Sequence, residues 1–437
     1  MTRLFYASTL FGAMTLAAAI DDGRFGPRED RRILLVSGNA AVPEVIPPLD
    51  GASGFAPLRP YFDEIHSWNE IVAPMHPSDW KARVIEVPML SRLLAARLSL
   101  GDDLRELVLE SVAVPPARTV AALVRDCPIT VYSDGLMSYG PTRDPLPLEI
   151  SGRITRLLHL DLVPGLTPLL LSEYGVPADA LPDRAFLDVA ESVTSAVDPA
   201  APMGARETPW APEDRAMILG QYLSALDILT ADEEAELHAD MLRGVVARGF
   251  ETVLFKPHPA AGRRHALRLR ETAAELGVRL EIAAESVPAE SYFAALRPGL
   301  VVGCFSTALV TARNHHGLPV AAMGGEQVLE RLSPYENSNR IPVTITDALL
   351  PRLAADGSVS EPPPVDLPAL VRAVGYCMRA EAHPGLREAA SAYLDAHGPD
   401  RYFKRQRLAA LELLTAPDRT GPGTLARLRR RLSRTVL

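Results

Sequence analysis

The sequence has 437 residues, with 45 Lys+Arg against 54 Asp+Glu and a formal net charge of −9. A composition that is 47% hydrophobic and 23% charged excludes a chain disordered throughout, and the length suits roughly two or three domains. The acidic balance excludes a protein that coats nucleic acid through a generally basic surface, so no nucleic-acid partner is expected.

Leu4 to Ile20 is mostly apolar, follows Arg3 and ends Ala-rich, as a secretory leader would. Ser8, Thr9 and Thr15 interrupt it and Asp21-Asp22-Gly23 closes it, which fits instead a strand over Leu4–Ala7, a Ser8-Thr9 turn and a packed helix to Ile20. Short apolar runs then alternate with helical patterns. Strands are expected at 32–36, 106–109, 128–132 and 157–162, with a helix from Pro116 to about Arg125 before the third of these. From Thr194 to Glu213 the periodicity stops and Pro, Ala, Gly and Asp dominate, marking an interdomain linker. A second series follows, with strands at 216–219, 252–255, 280–282, 300–303 and 319–323. A charged amphipathic helix starting at Thr230 spans Ala231 to Arg248. After Glu361-Pro362-Pro363-Pro364 the chain reads as helical to Thr415.

Strand–helix alternation of this kind implies α/β architecture: two Rossmann-like, doubly wound domains facing across a cleft, with C-terminal helices. The expected divisions are 1–205, 214–375, C-terminal helices over 376–416 packing back on the body, and a basic tail over 417–437. Cys127, Cys304 and Cys377 make no CxxC pair, so neither a disulfide framework nor a zinc ribbon is expected, and a reducing cytoplasm is the simplest home. No apolar run reaches the roughly 20 residues that span a bilayer. Neither GxGxxG nor GxxxxGK[ST] is present, which argues against dinucleotide and P-loop readings.

Three features stand just after expected strands, where such folds bind ligands. In Tyr132-Ser133-Asp134-Gly135 the carboxylate of Asp134 reaches the cleft rim and suits a general base on a hydroxyl; a lone Asp-Gly equally shapes a turn. In Phe255-Lys256-Pro257-His258-Pro259 two prolines restrain His258 beside a cation, suited to hold and protonate a departing phosphate. In Gly303-Cys304-Phe305-Ser306-Thr307 a strand runs into a helix start whose hydroxyls and free amides fit a phosphate; ordinary capping by Ser306 explains the same pattern.

In this order and placement the three features resemble the D/E-D/E-G, H-P and S-S/T motifs of bacterial sialyltransferases and capsular polysialyltransferases. Ala7-Ser8-Thr9-Leu10-Phe11-Gly12 through Ala19-Ile20-Asp21 resembles the first strand and helix of the same family, which favours the folded reading of the N-terminus. The resemblance covers about residues 3 to 345. It implies a GT-B fold and inverting, metal-independent transfer of sialic acid, or a related ulosonic acid, from its CMP ester to a cell-surface glycan hydroxyl, with no cofactor. It implies that Asp134 is the base and His258 a phosphate contact and acid. Lys256, Ser306, Thr307 and Glu290 complete the donor side, Glu290 matching an acid that holds ribose hydroxyls. Ser8, Thr9, Asn39, Ser133 and Gln221 are candidates for the acceptor side or cleft wall. The sequence departs from the motif at Ser133, where the family keeps its first acid.

Two other readings follow from the same residues: a GT-B enzyme using another nucleotide sugar, and, from Ser133, a catalytically silent glycan-binding subunit of a polysaccharide assembly complex. Arg427, Arg429, Arg430, Arg431 and Arg434 alternate with Leu425, Leu428, Leu432 and Val436. This pattern fits peripheral contact with an anionic inner membrane face or a solvated terminus.

Overall fold

A computed structural model describes residues 1–40, 42–197, 214–258 and 266–414. The first domain contains β1 (Thr2–Ala7), α1 (Leu10–Asp21), β2 (Arg31–Val36), β3 (Glu64–Ser67), α2 (Trp68–Val72), α3 (Val87–Arg97), β4 (Leu104–Leu109), α4 (Ala117–Leu123), β5 (Ile129–Ser133), α5 (Leu148–Ser151), β6 (Ile154–Leu160), β7 (Ala178–Leu181) and α6 (Asp183–Ala196). Its strands form one sheet in the order β3-β2-β1-β4-β5-β6-β7, parallel throughout. β1, expected as strand or leader, lies inside this sheet between β2 and β4, and all six of its residues are buried.

The second domain contains β8 (Arg215–Leu219), α7 (Ala231–Ala247), β9 (Thr252–Lys256), α8 (Ala266–Leu276), β10 (Arg279–Ile282), α9 (Ala289–Leu296), β11 (Leu300–Gly303), α10 (Thr307–Asn314), β12 (Val320–Ala322), α11 (Gly325–Arg331), α12 (Arg340–Leu349), β13 (Arg352–Leu353) and β14 (Val359–Ser360). The order is β10-β9-β8-β11-β12-β13-β14, with only the last pair antiparallel. Thr230 caps α7 in a reciprocal box, its hydroxyl accepting from Glu233 N while the Glu233 carboxylate accepts from Thr230 N, which satisfies two otherwise orphaned donors.

The strands buried on both faces read as continuous apolar runs such as Ile33-Leu34-Leu35-Val36 and Met217-Ile218-Leu219, as parallel sheets covered by helices require. In both domains the strand order reverses direction once, between β1 and β4 and between β8 and β11. At such a switch point the loops leave in opposite directions and open a crevice at the carboxyl ends of the strands.

Three further helices, α13 (Leu367–Met378), α14 (Arg387–His397) and α15 (Arg405–Ala410), close the described chain. The expected boundary at 375/376 falls inside α13. That helix already touches the first domain. A Cβ on Gly375 would lie 2.5 Å from Leu169 Cδ1, and Arg379 donates to the Arg143 carbonyl at 2.8 Å. The expected linker also begins late, because α6 continues to Ala196. Its remainder over 198–213, Pro259, and the basic tail all lie outside the described residues.

Candidate active site

The loop after β5, one strand beyond the first switch point, meets the loop after β11 at the second. Backbone N–H of Leu136, in the loop after β5, donates to Thr307 Oγ1 at the start of α10 at 3.3 Å. A Cβ on Gly135 would stand 3.1 Å from the same oxygen. The Asp134-Gly135 loop of one domain therefore touches the Ser306-Thr307 turn of the other. Ser306 is the N-cap of α10, its hydroxyl accepting from Ala308 N at 3.3 Å. Gln221, in the loop after β8, accepts from Phe305 N at 2.9 Å, so it braces the Ser306 turn across the second switch point.

Asp134 is half-buried and sits against the N-terminus of α1. Thr9, the N-cap, accepts from Gly12 N at 2.9 Å and donates to Asp134 Oδ2 at 3.4 Å. A Cβ on Gly12 would come within 3.0 Å of Thr9 Oγ1 and of the Tyr132 hydroxyl, and 3.4 Å of that Oδ2, so a side chain there would press on the capping hydroxyl that holds the carboxylate. Desolvation raises the proton affinity of Asp134, and hydrogen bonding from its own backbone and from Thr9 offsets this in part. A base with raised proton affinity suits proton abstraction from a hydroxyl.

One site group escaped the sequence reading. Glu110 directly follows β4, is 6% exposed, and its Oε1 accepts from Ser8 N at 2.7 Å and Ser8 Oγ at 2.6 Å. Burial, and then the negative charge of Asp134, push its carboxyl up to about 7. The strand-end rule that singles out Asp134 applies equally to Glu110, but Glu110 has no glycine after it and belongs to no motif.

His258 lies two residues past β9. Its ring packs on Tyr222, centroids 4.2 Å apart at 43°. Burial, then the neighbouring Lys256 charge, push its pKa down to about 4, so the imidazole is neutral at pH 7. Lys256 is 5% exposed, and its Nζ donates to the carbonyls of Pro257 at 3.0 Å and Glu285 at 3.2 Å. The ammonium is thus turned onto the loop that carries His258, and burial lowers its pKa to about 8. Glu290, in the first turn of α9 and 4% exposed, accepts from Thr311 Oγ1 at 2.9 Å; burial raises its proton affinity.

Two further candidates remain. Asn39, exposed beyond β2, accepts from Ser37 Oγ at 2.7 Å. Ser133 ends β5 opposite His159 of β6. Gly220, before Gln221, donates from its N to the Lys256 carbonyl at 2.9 Å. A Cβ there would lie 2.6 Å from Phe255 Cζ, and Phe255 is buried and unable to retreat. Gly220→Ala is therefore expected to cost about 1–3 kcal/mol of stability and to displace the end of β9. Thermal unfolding and nucleotide titration of the variant check both effects.

Two facing Rossmann-type domains give the GT-B fold. Residues 3–324 match the alpha-2,8-polysialyltransferase family. The chain belongs to that family, and is a sialyl-transferring glycosyltransferase. No curated protein matches its sequence. Solved structures that it resembles include the GT-B domain of a Photobacterium damselae sialyltransferase, at TM-score 0.41 and 12% identity over 78% of this chain and 95% of that one. Others are a Rickettsia africae glycosyltransferase, at 0.40 and 9% over 95% and 99%, and an E. coli heptosyltransferase, at 0.33 and 12% over 74% and 88%. The family assignment rests on the sequence match. Among the described residues no helix is long and apolar enough to cross a membrane.

Proposed function

We propose that this protein moves sialic acid, or a related ulosonic acid, from its CMP ester to a glycan hydroxyl, with inversion and without a metal ion. The observation that carries the reading is the contact of the Asp134 loop with the Ser306-Thr307 turn through Leu136 N and Thr307 Oγ1. It brings a candidate base from one domain beside a candidate phosphate site on the other. The α10 N-terminus offers backbone amides and a positive dipole end to an anion.

In this mechanism Asp134 takes the proton of the acceptor hydroxyl as its oxygen attacks the anomeric carbon. The bond from that carbon to the phosphate oxygen breaks on the opposite side, and CMP departs. In-line displacement inverts the centre. Negative charge grows on the phosphate, where His258, Ser306 and Thr307 donate hydrogen bonds; electrostatic stabilisation of this kind needs no cation when the leaving group is a phosphate monoester. Lys256 acts from behind, fixing the His258 loop and supplying positive charge, and Glu290 holds the ribose hydroxyls.

Calorimetric titration with CMP, UMP and GDP, in metal-free buffer, tests the donor. CMP-selective binding is expected; a preference for UMP or GDP, or no binding, overturns the donor assignment. Because His258 is neutral in the free protein, an arriving phosphate raises its pKa toward the assay pH, and the protein takes up protons as CMP binds. Affinity then weakens as pH rises from 6 to 8 (roughly the range over which His exchanges its proton). The apparent binding enthalpy will depend on the ionisation enthalpy of the buffer. Contact of the basic tail with the inner membrane face is the peripheral part of the same reading.

A further inference from the structure

We propose that Glu110 is a positioning residue for the transfer: the second carboxylate of a pair with Asp134, held beside it by the Ser8-Thr9 turn, whose negative charge strengthens Asp134 as a base. The proposal rests on Asp134 acting as that base.

The geometry is that of a clamp. Ser8 and Thr9 are consecutive, between β1 and α1. Ser8 gives Glu110 two short hydrogen bonds, from its N–H at 2.7 Å and its hydroxyl at 2.6 Å. Thr9 gives its hydroxyl to Asp134 at 3.4 Å. One turn therefore ties down both carboxylates. The strands beneath them pair in parallel with Leu109 opposite Val131, so their carboxyl ends deliver Glu110 and Asp134 to neighbouring places at and beside the first switch point. Ser133, the sequence neighbour of Asp134, is uncharged, and the charged neighbour comes from the adjacent strand instead.

Glu110 does not lie on the cleft surface, so it reaches the acceptor only through Asp134. The groups whose charge bears on it are Asp134 from β5, Tyr6 from β1 and Tyr132 from β5. Burial pushes both phenols well above their usual range, so they stay neutral. That leaves Asp134 as the ionised neighbour whose charge acts on Glu110, and two interacting carboxylates do not give up their protons independently. As pH rises through about 7 Glu110 ionises, and its charge raises the proton affinity of Asp134. The acceptor proton then goes to Asp134, while Glu110 neither gains nor loses one in the step.

The test uses the full-length protein and follows CMP release from CMP-N-acetylneuraminic acid in water, between pH 6 and 8.5, beside a ¹³Cδ-glutamate NMR titration. The Glu110 resonance is the one that Glu110→Gln removes. Expected is a midpoint near 7 in the wild type that falls in Asp134→Asn but stays above the ordinary carboxylate range, because burial remains. Wild type and Glu110→Gln should release CMP at similar rates at pH 6, with the variant slower by on the order of tenfold at pH 8. A Glu110 midpoint in the ordinary range in both proteins overturns the proposal, as does a variant slowed equally at every pH, which is what a merely structural role predicts. Asp134→Asn separates the two layers. If it abolishes CMP release while Glu110→Gln keeps the wild-type pH profile, only the pairing fails. Full activity in Asp134→Asn removes the base itself.

Discussion

Asp134→Asn is expected to reduce sialyl transfer by about 10²–10⁴-fold, the usual contribution of a positioned acid or base, while CMP binds as tightly as before. Asparagine has nearly the shape of aspartate, and its side-chain oxygen still accepts from Thr9, so the α1 turn and the contact of Leu136 with Thr307 are preserved. What is lost is the ability to take a proton. Transfer assays at saturating donor, with calorimetry for CMP, check the split. If both quantities fall together in a folded variant, Asp134 shapes the loop and is not the base.

The second large effect is expected at His258. His258→Ala removes the ring packed 4.2 Å from Tyr222 and, under the proposed mechanism, one hydrogen-bond donor to the phosphate. A missing donor of this type costs about 10²-fold in turnover, and here it also raises the dissociation constant of CMP because the nucleotide is held by the same group before reaction. The buffer-dependent proton uptake should vanish in the variant. A variant with unchanged CMP affinity and unchanged transfer places His258 outside the site.

The strands that carry these groups were legible because they are buried on both faces. Runs such as Leu107-Val108-Leu109 and Val301-Val302 have no other economical reading in an alternating chain. The two edge strands of the first sheet were not: β3 is Glu-Ile-His-Ser and β7 is Ala-Asp-Ala-Leu, four-residue segments, mostly half-buried or exposed, that leave no continuous apolar run. At the site, the motifs located Asp134, His258, Ser306 and Thr307 at strand ends. They were silent on which way a side chain turns. Lys256 beside His258 reads as a phosphate ligand, yet its Nζ finds two carbonyls behind the loop. Glu110 was hidden for a different reason. Its partner in the chain is Asp134, and only the parallel pairing of β4 with β5 makes them neighbours.

The return of the last helices to the first domain has a mechanical consequence. Residues at α13 tie the second half back to the first, where Gly375 meets Leu169 and Arg379 holds the Arg143 carbonyl. Other bridges stand apart from it: Asn314 Nδ2 donates to the Leu162 carbonyl at 2.7 Å, and Thr194 Oγ1 donates to Ser291 Oγ at 3.0 Å. Together with Leu136 on Thr307, these contacts stitch the domains along a seam, so the loss of any one of them leaves the others to hold the two sheets in register.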